Sequence, residues 1–269
     1  MSEGAQQTLR VVQVTDCHLF ASTEGKLLGL NTQFSLDRVL ELVEKQNAGM
    51  DVILATGDLA QDASTTAYAR LFKRLHDFSV PIYWMKGNHD NLEPMLATFA
   101  AERERVSPCV AEMGAWTIIL LDSTIPGKVP GELYQDDLDF LEQALAKAKG
   151  QHILVSLHHQ PVPMGCTWLD TQIVKNANDF FALIDAEPRV RCVLWGHVHQ
   201  EFDGERKGVR LLSTPSTCVQ FKPGSHDFAV DTAGPGYRWL DLHTDGHIDT
   251  GVERVEDITF EVDFSVKGY

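Results

Sequence analysis

Short apolar segments that end abruptly in glycine and polar residues recur along this chain, and they constrain its fold more than any other feature. In the clearest case, the apolar run VILA at 52–55 leads directly into Thr56, Gly57 and Asp58. A run this short, without polar alternation, is typical of a strand that a parallel sheet buries on both faces. The glycine permits a tight turn and leaves the Asp58 carboxylate at the carboxyl end of the strand, where open α/β sheets bind ligands. Taken alone, a Gly-Asp pair is also typical of an ordinary turn.

Five other predicted strands are also followed by polar residues. The strands and the residues after them are 9–15 with Asp16, Cys17 and His18; 80–85 with Gly87, Asn88, His89 and Asp90; 116–121 with Asp122; 152–157 with His158, His159, Gln160 and Pro161; and 190–195 with Gly196, His197, Val198 and His199. In an extended segment residues i and i+2 point to the same side. We therefore expect Asp16 and His18 to converge while Cys17 points away, and we expect the same of His197 and His199.

Helices are predicted between these strands, which is the crossover pattern of a parallel sheet. The first is expected to begin with Ser35 as its N-cap, and the others are predicted at 64–78, 91–105, 135–148 and 176–186. Beyond about residue 200, short strands and turns indicate a second, more antiparallel sheet layer. We expect an α/β fold, a two-layered mixed β-sheet sandwich flanked by helices. Residues 1–269 are expected to form a single domain, whose part from about residue 200 completes the second sheet.

Charge and cysteine content exclude some classes of protein. The net charge of −15 and the pI near 5.1 argue against a nucleic-acid polymer as partner, because there is no basic stripe to bind it. Five cysteines without a CxxC pair suggest reduced thiols in the cytosol. The N-terminus resembles no signal peptide, and no apolar run approaches the roughly 20 residues that span a bilayer. We therefore expect a cytoplasmic protein that does not bind membranes.

The polar residues at the strand ends form a potential set of metal ligands. Six of the eleven histidines lie in these clusters, together with carboxylates and one Asn. Mixed nitrogen and oxygen donors suit Fe, Mn, Zn or Co better than Ca or Mg, and the set lacks the thiolates of structural zinc sites. Bound cations would also allow an acidic protein to bind a small anionic substrate.

In this order, the motifs DxH, GD, GNHD, His before Pro, and GHxH resemble those of the calcineurin-like metallophosphoesterase family. They extend from Asp16 to His199 and thus over most of the chain. The resemblance implies the four-layer αββα metallophosphoesterase fold with two divalent or trivalent metal ions, Fe with Fe, Mn or Zn. It also implies that residues 1–269 form a catalytic domain with a substrate cap in the part from about residue 200, and that Asp58 bridges the two ions. The first ion would be bound by Asp16, His18, Asp58 and His199, and the second by Asp58, Asn88, His158 and His197.

The resemblance further implies roles in catalysis and substrate binding. His89 would face the substrate as a general acid, and Asp90 would orient it. Residues that would contact the substrate are His18, Asp58, Asn88, His89, His158 and His199. Gln160 departs from the usual HHPP motif of the family, so we expect His158 to be the ligand and His159 to have a supporting or structural place.

The later part of the chain narrows the resemblance. The segments 165–170, 213–223 and 231–239 resemble those of bacterial class III 3′,5′-cyclic-AMP phosphodiesterases. The implied reaction is hydrolysis of cyclic AMP to 5′-AMP by a metal-bridging hydroxide, with the 3′ oxygen leaving, which would lower cellular cyclic AMP. Trp168, Phe221 or Tyr237 could stack on adenine, although packing of the second sheet explains each of them equally well.

Three other possibilities stay open. A broad-specificity phosphodiesterase or a glycerophosphodiesterase would use the same metals with different substrate loops. The fold could also serve as a protein-interaction scaffold if the metal ligands were lost, yet every expected ligand is present. Cys17 and Cys166 lie near the predicted site but are expected to take no part in catalysis. The protein is expected to be a monomer or a homodimer.

Overall fold

Thirteen strands and six α-helices make up the part of the chain that the computed structural model describes, residues 8–263 and 265. The strands are β1 Leu9–Val14, β2 Lys26–Leu27, β3 Leu30–Asn31, β4 Val52–Thr56, β5 Ile82–Met85, β6 Cys109–Met113, β7 Trp116–Leu120, β8 His152–Leu157, β9 Val190–Trp195, β10 Phe202–Arg206, β11 Val209–Ser213, β12 Gly236–Leu242 and β13 Ile248–Arg254. The helices are α1 Thr32–Gln46, α2 Thr65–His76, α3 Leu92–Thr98, α4 Gln135–Lys147, α5 Thr167–Asp170 and α6 Ala177–Ala186, with a 3₁₀ helix at Ala100–Arg105.

The long strands form two mixed sheets. The five-stranded sheet has the order β13-β12-β1-β4-β5, in which β1, β4 and β5 are parallel and β12 and β13 are antiparallel to their neighbours. The six-stranded sheet has the order β10-β11-β9-β8-β7-β6, with a parallel centre from β11 to β7 and an antiparallel strand at each edge. Strands β2 and β3 form a separate small hairpin.

Alternate residues of the parallel strands build separate layers of the core. Val11 and Leu54 of the five-stranded sheet pack with Leu154 and Leu194 of the six-stranded sheet in one cluster. The opposite faces pack against helices, in clusters that include Leu36 of α1 and Leu71 of α2 for the first sheet, and Leu141 of α4 and Phe180 of α6 for the second. The predicted α/β sandwich flanked by helices is therefore confirmed. The assignment of residues 1–269 to a single domain stays a prediction. The part beyond residue 200 does not form one separate layer as expected, because β10 and β11 pair with the six-stranded sheet and β12 and β13 with the five-stranded sheet.

Two local predictions were wrong, and one strand was missed. Helix α1 begins at Thr32 rather than after Ser35, because Asn31 accepts a hydrogen bond from the Phe34 N–H (2.8 Å) and caps it. The helix predicted at 91–105 breaks at Phe99, which leaves helical geometry and is buried with its ring 4.2 Å from that of Trp84. Strand β6 was not predicted, although buried Cys109 and Ala111 alternate with more exposed residues before a glycine turn into β7.

The carboxyl ends of the parallel strands of both sheets lie at one edge of the sandwich. The buried amide of Gln13, on β1, helps to join the sheets there: it donates to Thr56 Oγ1 (2.7 Å) on β4 and to the Trp195 carbonyl (3.3 Å) on β9. A half-buried ion pair between Lys86 and Asp122 (2.9 Å) links the residues that follow β5 and β7. The polar clusters predicted from the sequence are therefore brought to a single edge.

None of the helices that the structure describes has the length and apolar composition that a membrane span requires.

Candidate metal centre

The backbone at the predicted site has an unusual conformation. Nine non-glycine residues in the described part of the chain have positive φ, and five of them are predicted metal ligands. These five are Asp16 (54°), His18 (47°), Asp58 (49°), His197 (64°) and His199 (49°). Left-handed conformations are uncommon outside glycine, although Asp and His adopt them more readily than most residues. Each costs on the order of 1 kcal/mol, and such strain clusters at functional sites.

This conformation corrects one prediction. Asp16 and His18 were expected to converge because they would be alternate residues of an extended segment, and the same was expected of His197 and His199. The side chains do converge, since ligand atoms of Asp16, His18 and His199 lie within 4.8 Å of one another. The chain there is not extended, however, because left-handed residues follow β1 and β9 and turn the chain around the site. The convergence was predicted correctly, but the geometry behind it was wrong.

Backbone contacts between the residues that follow β1 and β4 place Asp16 beside Asp58. The Asp16 N–H donates to the Gly57 carbonyl and the His18 N–H to the Asp58 carbonyl, each at 2.9 Å. Gly57 has a φ of 98°, and a Cβ there would collide with the His158 ring. A Cβ at Gly87 would collide with the Asp58 carboxylate. Both glycines are required by close approach, which explains why each motif contains one.

One group of ligand atoms is formed by Asp16, His18 and His199. His199 Nε2 lies 3.4 Å from Asp16 Oδ1, and the Nε2 atoms of His18 and His199 are 3.2 Å apart. His18 Nε2 also lies 3.8 Å from Asp58 Oδ2. All four side chains are buried. They are the four residues predicted to hold the first ion.

A second group of potential ligands also lies beside Asp58. His158 Nε2 is 3.4 Å from Asp58 Oδ2 and 3.9 Å from Asp16 Oδ1. The His158 ring lies 5.2 Å from that of His197. Among the described residues, Asn88 Oδ1 and His158 Nε2 are buried atoms without a hydrogen-bond partner. Unsatisfied buried polar atoms are costly, and each of these two atoms has a lone pair that a cation can bind, so the residues present fit a metal centre.

The two buried carboxylates are strongly coupled to the surrounding imidazoles. Burial alone would raise the pKa of Asp58, but His158, His89 and His18 together hold it well below its ordinary value. The pKa of Asp16 is also lowered against the effect of burial, chiefly by His199. Burial lowers the pKa of His18 to about 3, whereas the nearby Asp58 outweighs burial and raises that of His158 to about 9. The site thus combines ionised carboxylates with imidazole rings, which is a donor set for a cation.

His89 and Asp90 lie next to these groups. The His89 N–H donates to Asp58 Oδ1 (2.9 Å), and its half-buried ring lies 5.1 Å from that of His18. The Asp90 carboxylate accepts hydrogen bonds from Tyr68 Oη and from three backbone N–H groups, those of Leu59, Ala60 and Gly87, at 2.9–3.1 Å. Asp90 therefore joins the loop that carries Asp58 to the loop that carries His89. The predicted role of Asp90 in orienting the imidazole stays a prediction.

His159 lies beside His158 and His197, with ligand atoms of the three within 4.8 Å of one another, and its expected supporting or structural place stays a prediction. Its Nδ1 is hydrogen-bonded to Ser123 Oγ and its Nε2 to the Val129 carbonyl, both at 2.9 Å. Both ring nitrogens are thus engaged, although the ring lies close to those of His158 and His197. Gln160 is buried and donates to the Leu169 carbonyl (2.7 Å), which holds the following loop in place.

The three aromatic candidates for adenine stacking lie in different places. Tyr237 is buried beneath α1, where its hydroxyl is hydrogen-bonded to Asn47 and Gln46, so it packs the core and the stacking hypothesis is wrong for it. Phe221 stacks on the His199 ring at 4.2 Å with an interplanar angle of 7°. Trp168 is partly buried and lies edge-on to Phe221 at 5.0 Å. Phe221 is itself buried, so of the three only Trp168 keeps exposed surface beside the centre.

Two glutamines that the sequence interpretation did not single out contact the ligands. Gln61 Oε1 lies 2.6 Å from His18 Nδ1, and Gln172 Oε1 lies 2.9 Å from His197 Nε2. Gln61 follows Asp58 by three residues, so its place in that loop was a usable signal. Gln172 lies in an irregular loop after α5, and only the tertiary structure brings it to the site.

Comparison with known proteins agrees with this fold. A sequence profile of calcineurin-like phosphoesterases matches residues 9–201, and the chain belongs to that family. It is 47% identical over 259 residues to the 3′,5′-cyclic adenosine monophosphate phosphodiesterase CpdA of Pseudomonas aeruginosa, covering 96% of this chain and 94% of that protein. It is 43% identical over 270 residues to the protein of the same name from Escherichia coli K12, covering 99% and 97%.

Among solved structures, a dimetal phosphatase from Danio rerio has a similar fold. The TM-score is 0.62 at 14% sequence identity, and the match covers 91% of this chain and 98% of the other. At that identity the likeness concerns the fold alone. The family match confirms the resemblance inferred from the order of the motifs.

Proposed function

We propose that this chain hydrolyses 3′,5′-cyclic AMP to 5′-AMP as a phosphodiesterase with two metal ions. The observation that carries the proposal is the convergence of two groups of buried ligand atoms on Asp58. The names of relatives that match nearly the whole chain support the choice of cyclic AMP as substrate. A cyclic nucleotide carries a single phosphate charge, which suits a protein of net charge −15 in which bound ions would supply positive charge at the site.

The metal ligands are proposed as two sets that share Asp58. Asp16, His18, Asp58 and His199 would hold one ion, and Asp58, Asn88, His158 and His197 the other. Two bound ions would supply positive charge beside the phosphodiester and a nucleophile near neutral pH. We propose Fe with Fe, Mn or Zn, because the donors are imidazole nitrogens and carboxylate or amide oxygens.

His89 is proposed to donate the proton to the leaving 3′ oxygen. Its backbone N–H is held by Asp58, and its half-buried ring lies beside the first group of ligands without being needed in either set. General acid catalysis of this kind contributes about 10²–10⁴-fold to the rate. The substrate would contact His18, Asp58, Asn88, His89, His158 and His199. Trp168, which borders the centre and is only partly buried, is proposed to face the adenine.

Two alternatives use the same structure. A broad-specificity phosphodiesterase or a glycerophosphodiesterase would need the same ligands and would differ in the loops around Trp168. A scaffold without activity would need no such convergence of buried carboxylates and imidazoles, whose burial and backbone strain are costly. The geometry therefore favours an enzyme.

The proposal is tested by comparing kcat/KM for cyclic AMP, cyclic GMP and a glycerophosphodiester with purified metal-loaded protein. Chromatography identifies the product, and Asp58→Asn protein purified in the same way reports contaminating activity. We expect cyclic AMP to be the best substrate and 5′-AMP the product. Formation of 3′-AMP would contradict the proposed leaving group. Preference for the glycerophosphodiester would favour that alternative, and no turnover of any of the three would favour the scaffold.

We also propose that the protein acts in the cytoplasm, where it would lower the concentration of cyclic AMP. All five cysteines are buried as free thiols, which agrees with a reducing compartment. The proposed partner is the cyclic nucleotide alone, without a nucleic-acid polymer or a membrane, and the proposed state is a monomer or a homodimer. Cell fractionation and light scattering test the location and the oligomeric state.

A further inference from the structure

Each of the four proposed histidine ligands has one ring nitrogen hydrogen-bonded to a carbonyl or amide oxygen. For two of them the partner is a main-chain carbonyl: Thr56 for His158 Nδ1 and Val219 for His199 Nδ1, both at 2.8 Å. For the other two the partner is a glutamine side chain. His18 Nδ1 lies 2.6 Å from Gln61 Oε1, and His197 Nε2 lies 2.9 Å from Gln172 Oε1.

These contacts set the tautomer of each ring. A carbonyl or amide oxygen can only accept, so the ring nitrogen beside it must carry the proton, and the other nitrogen then has the lone pair that a metal needs. For His18 the lone pair falls on Nε2, the atom that lies 3.2 Å from His199 Nε2 and 3.8 Å from Asp58 Oδ2. For His197 it falls on Nδ1. One ligand thus uses a different ring nitrogen from the other three.

A backbone hydrogen bond holds each glutamine in place. The side-chain amide therefore loses little conformational entropy when it bonds to its histidine. The Gln61 N–H donates to the Leu19 carbonyl (2.8 Å), directly beside His18, where the residues that follow β1 and β4 pair as a short bridge. The Gln172 N–H donates to the Leu169 carbonyl (2.8 Å). Both glutamines are half-buried. Their amides are thereby held at the edge of the site by the main chain.

We propose that Gln61 and Gln172 are positioning residues that fix the metal-binding tautomers of His18 and His197, one for each ion. The inference rests on the metal centre proposed above. It assigns Gln61 to the ion held by Asp16, His18, Asp58 and His199, and Gln172 to the ion held by Asp58, Asn88, His158 and His197. Residues that orient a metal-bound histidine in this way typically affect metal affinity by about 10–100-fold when they are replaced.

Two kinds of substitution separate this role from simple packing. Leucine has nearly the size of glutamine but cannot accept a hydrogen bond, whereas glutamate keeps an acceptor oxygen at the same distance from the backbone. We expect Gln61→Leu and Gln172→Leu each to weaken one of the two Zn²⁺ binding steps by about 10–100-fold. We expect Gln61→Glu and Gln172→Glu to bind within a few fold of the parent. Gln143→Leu, on the exposed face of α4, is the matched control.

The experiment measures Zn²⁺ binding to the metal-free full-length protein by competition with a fluorescent chelator. To assign each glutamine to its ion, the leucine substitutions are combined with His158→Ala, which should leave only the ion held by Asp16, His18, Asp58 and His199. In that protein Gln61→Leu should weaken binding of the remaining Zn²⁺ ion, and Gln172→Leu should leave it unchanged. Ring ¹⁵N chemical shifts of labelled histidine give a second readout, because the loss of the acceptor should allow the other tautomer at His18 or His197.

Three results would overturn the inference: unchanged binding in both leucine variants, glutamate variants as weak as the leucine variants, or parent protein that binds no Zn²⁺. Failure of the proposed function is distinguishable from these. Parent protein that binds two ions with the expected glutamine dependence, yet hydrolyses no cyclic AMP, would contradict the cyclic-AMP proposal alone.

Discussion

Asp58 is the residue on which both proposed ion positions depend. One carboxylate oxygen lies 3.8 Å from His18 Nε2 and 3.4 Å from His158 Nε2, and the other accepts the His89 N–H. Neighbouring imidazoles hold its pKa well below the ordinary value, so it is ionised and able to bind cations at neutral pH. Asp58 belongs to both proposed ligand sets, so its loss should affect both ions, whereas the loss of a residue in only one set should affect one ion.

Substitution of Asp58 should therefore empty both positions together. We expect Asp58→Asn to retain almost no tightly bound metal and to lose about 10³-fold or more in kcat/KM, since each ion supplies several kcal/mol of charge stabilisation. His158→Ala should retain about one ion per chain, because only one set contains His158. Metal content by elemental analysis checks the difference. Asp139→Asn on the exposed face of α4 is the control, and equal metal loss in Asp58→Asn and His158→Ala would contradict a bridging role.

His89 should affect the proton transfer and not the metal content. We expect His89→Ala to keep both ions and to lose about 10²–10⁴-fold in kcat for cyclic AMP. The loss should be much smaller for bis(p-nitrophenyl) phosphate, because p-nitrophenolate needs no proton to leave. Steady-state kinetics on both substrates measure the difference. His226→Ala, at a side chain 81% exposed, serves as the control, and a variant that loses metal would show that His89 is a ligand.

At the level of the elements, the site depends on how loops after different strands are joined. Asp90 follows β5, and its carboxylate receives the N–H groups of Leu59 and Ala60, which follow β4, and of Gly87. Tyr68 of α2 donates its hydroxyl to the same carboxylate (3.0 Å). One side chain thereby ties a helix and two loops together.

Substitution of Asp90 should weaken the fold as well as the site. Asn replaces one acceptor oxygen with an N–H₂ group, which leaves at least one backbone N–H without its charged partner. Since hydrogen bonds to charged groups are worth about 1.5–3 kcal/mol, we expect Asp90→Asn to lower the free energy of unfolding by about 2–3 kcal/mol. Urea denaturation of the metal-free protein measures the change. Asp77→Asn, at the exposed end of α2, should have little effect. An unchanged urea midpoint for Asp90→Asn would show that the hydrogen bonds to the Asp90 carboxylate do not stabilise the fold.

The positions of β1, β4, β5, β8 and β9 were predictable because each is a short apolar run with a clear polar end. The break at Phe99 and the start of α1 were not, because they depend on contacts that local sequence does not encode. Phe99 leaves the helix to pack on Trp84, and Asn31 replaces Ser35 as the cap. Ser35 instead donates its hydroxyl to the Thr217 carbonyl (2.6 Å), far away in the chain.

At the scale of the whole molecule, all five thiols are buried in the sandwich or at its edge. Cys109 and Cys192 contribute to the cluster between the sheets, and burial raises the pKa of each to about 12, as it does for Cys218. Burial raises the pKa of Cys17 as well. Thiolate is the reactive form, so these cysteines are inert while the protein is folded.

We therefore expect the native protein to react slowly with Ellman's reagent at pH 8, and the urea-unfolded protein to release five equivalents quickly. Stability should also fall as the pH rises above about 9, because thiols of the unfolded chain ionise there while those of the folded chain stay protonated until about pH 12. Spectrophotometric thiol titration and urea melts at pH 8 and pH 10 check the two expectations. Rapid reaction of one thiol in the folded state would show an accessible, ionised cysteine.

The sequence by itself determined the family, the sheet edge at which the site lies and the residue types that converge there. It could do so because parallel strands bury both faces and therefore leave polar residues only at their ends. The tertiary structure decided the left-handed turns at Asp16, His18 and Asp58, the burial of Tyr237 away from the site, and the delivery of Gln172 to His197. These features depend on contacts between segments distant in the chain, which no local pattern of residues specifies.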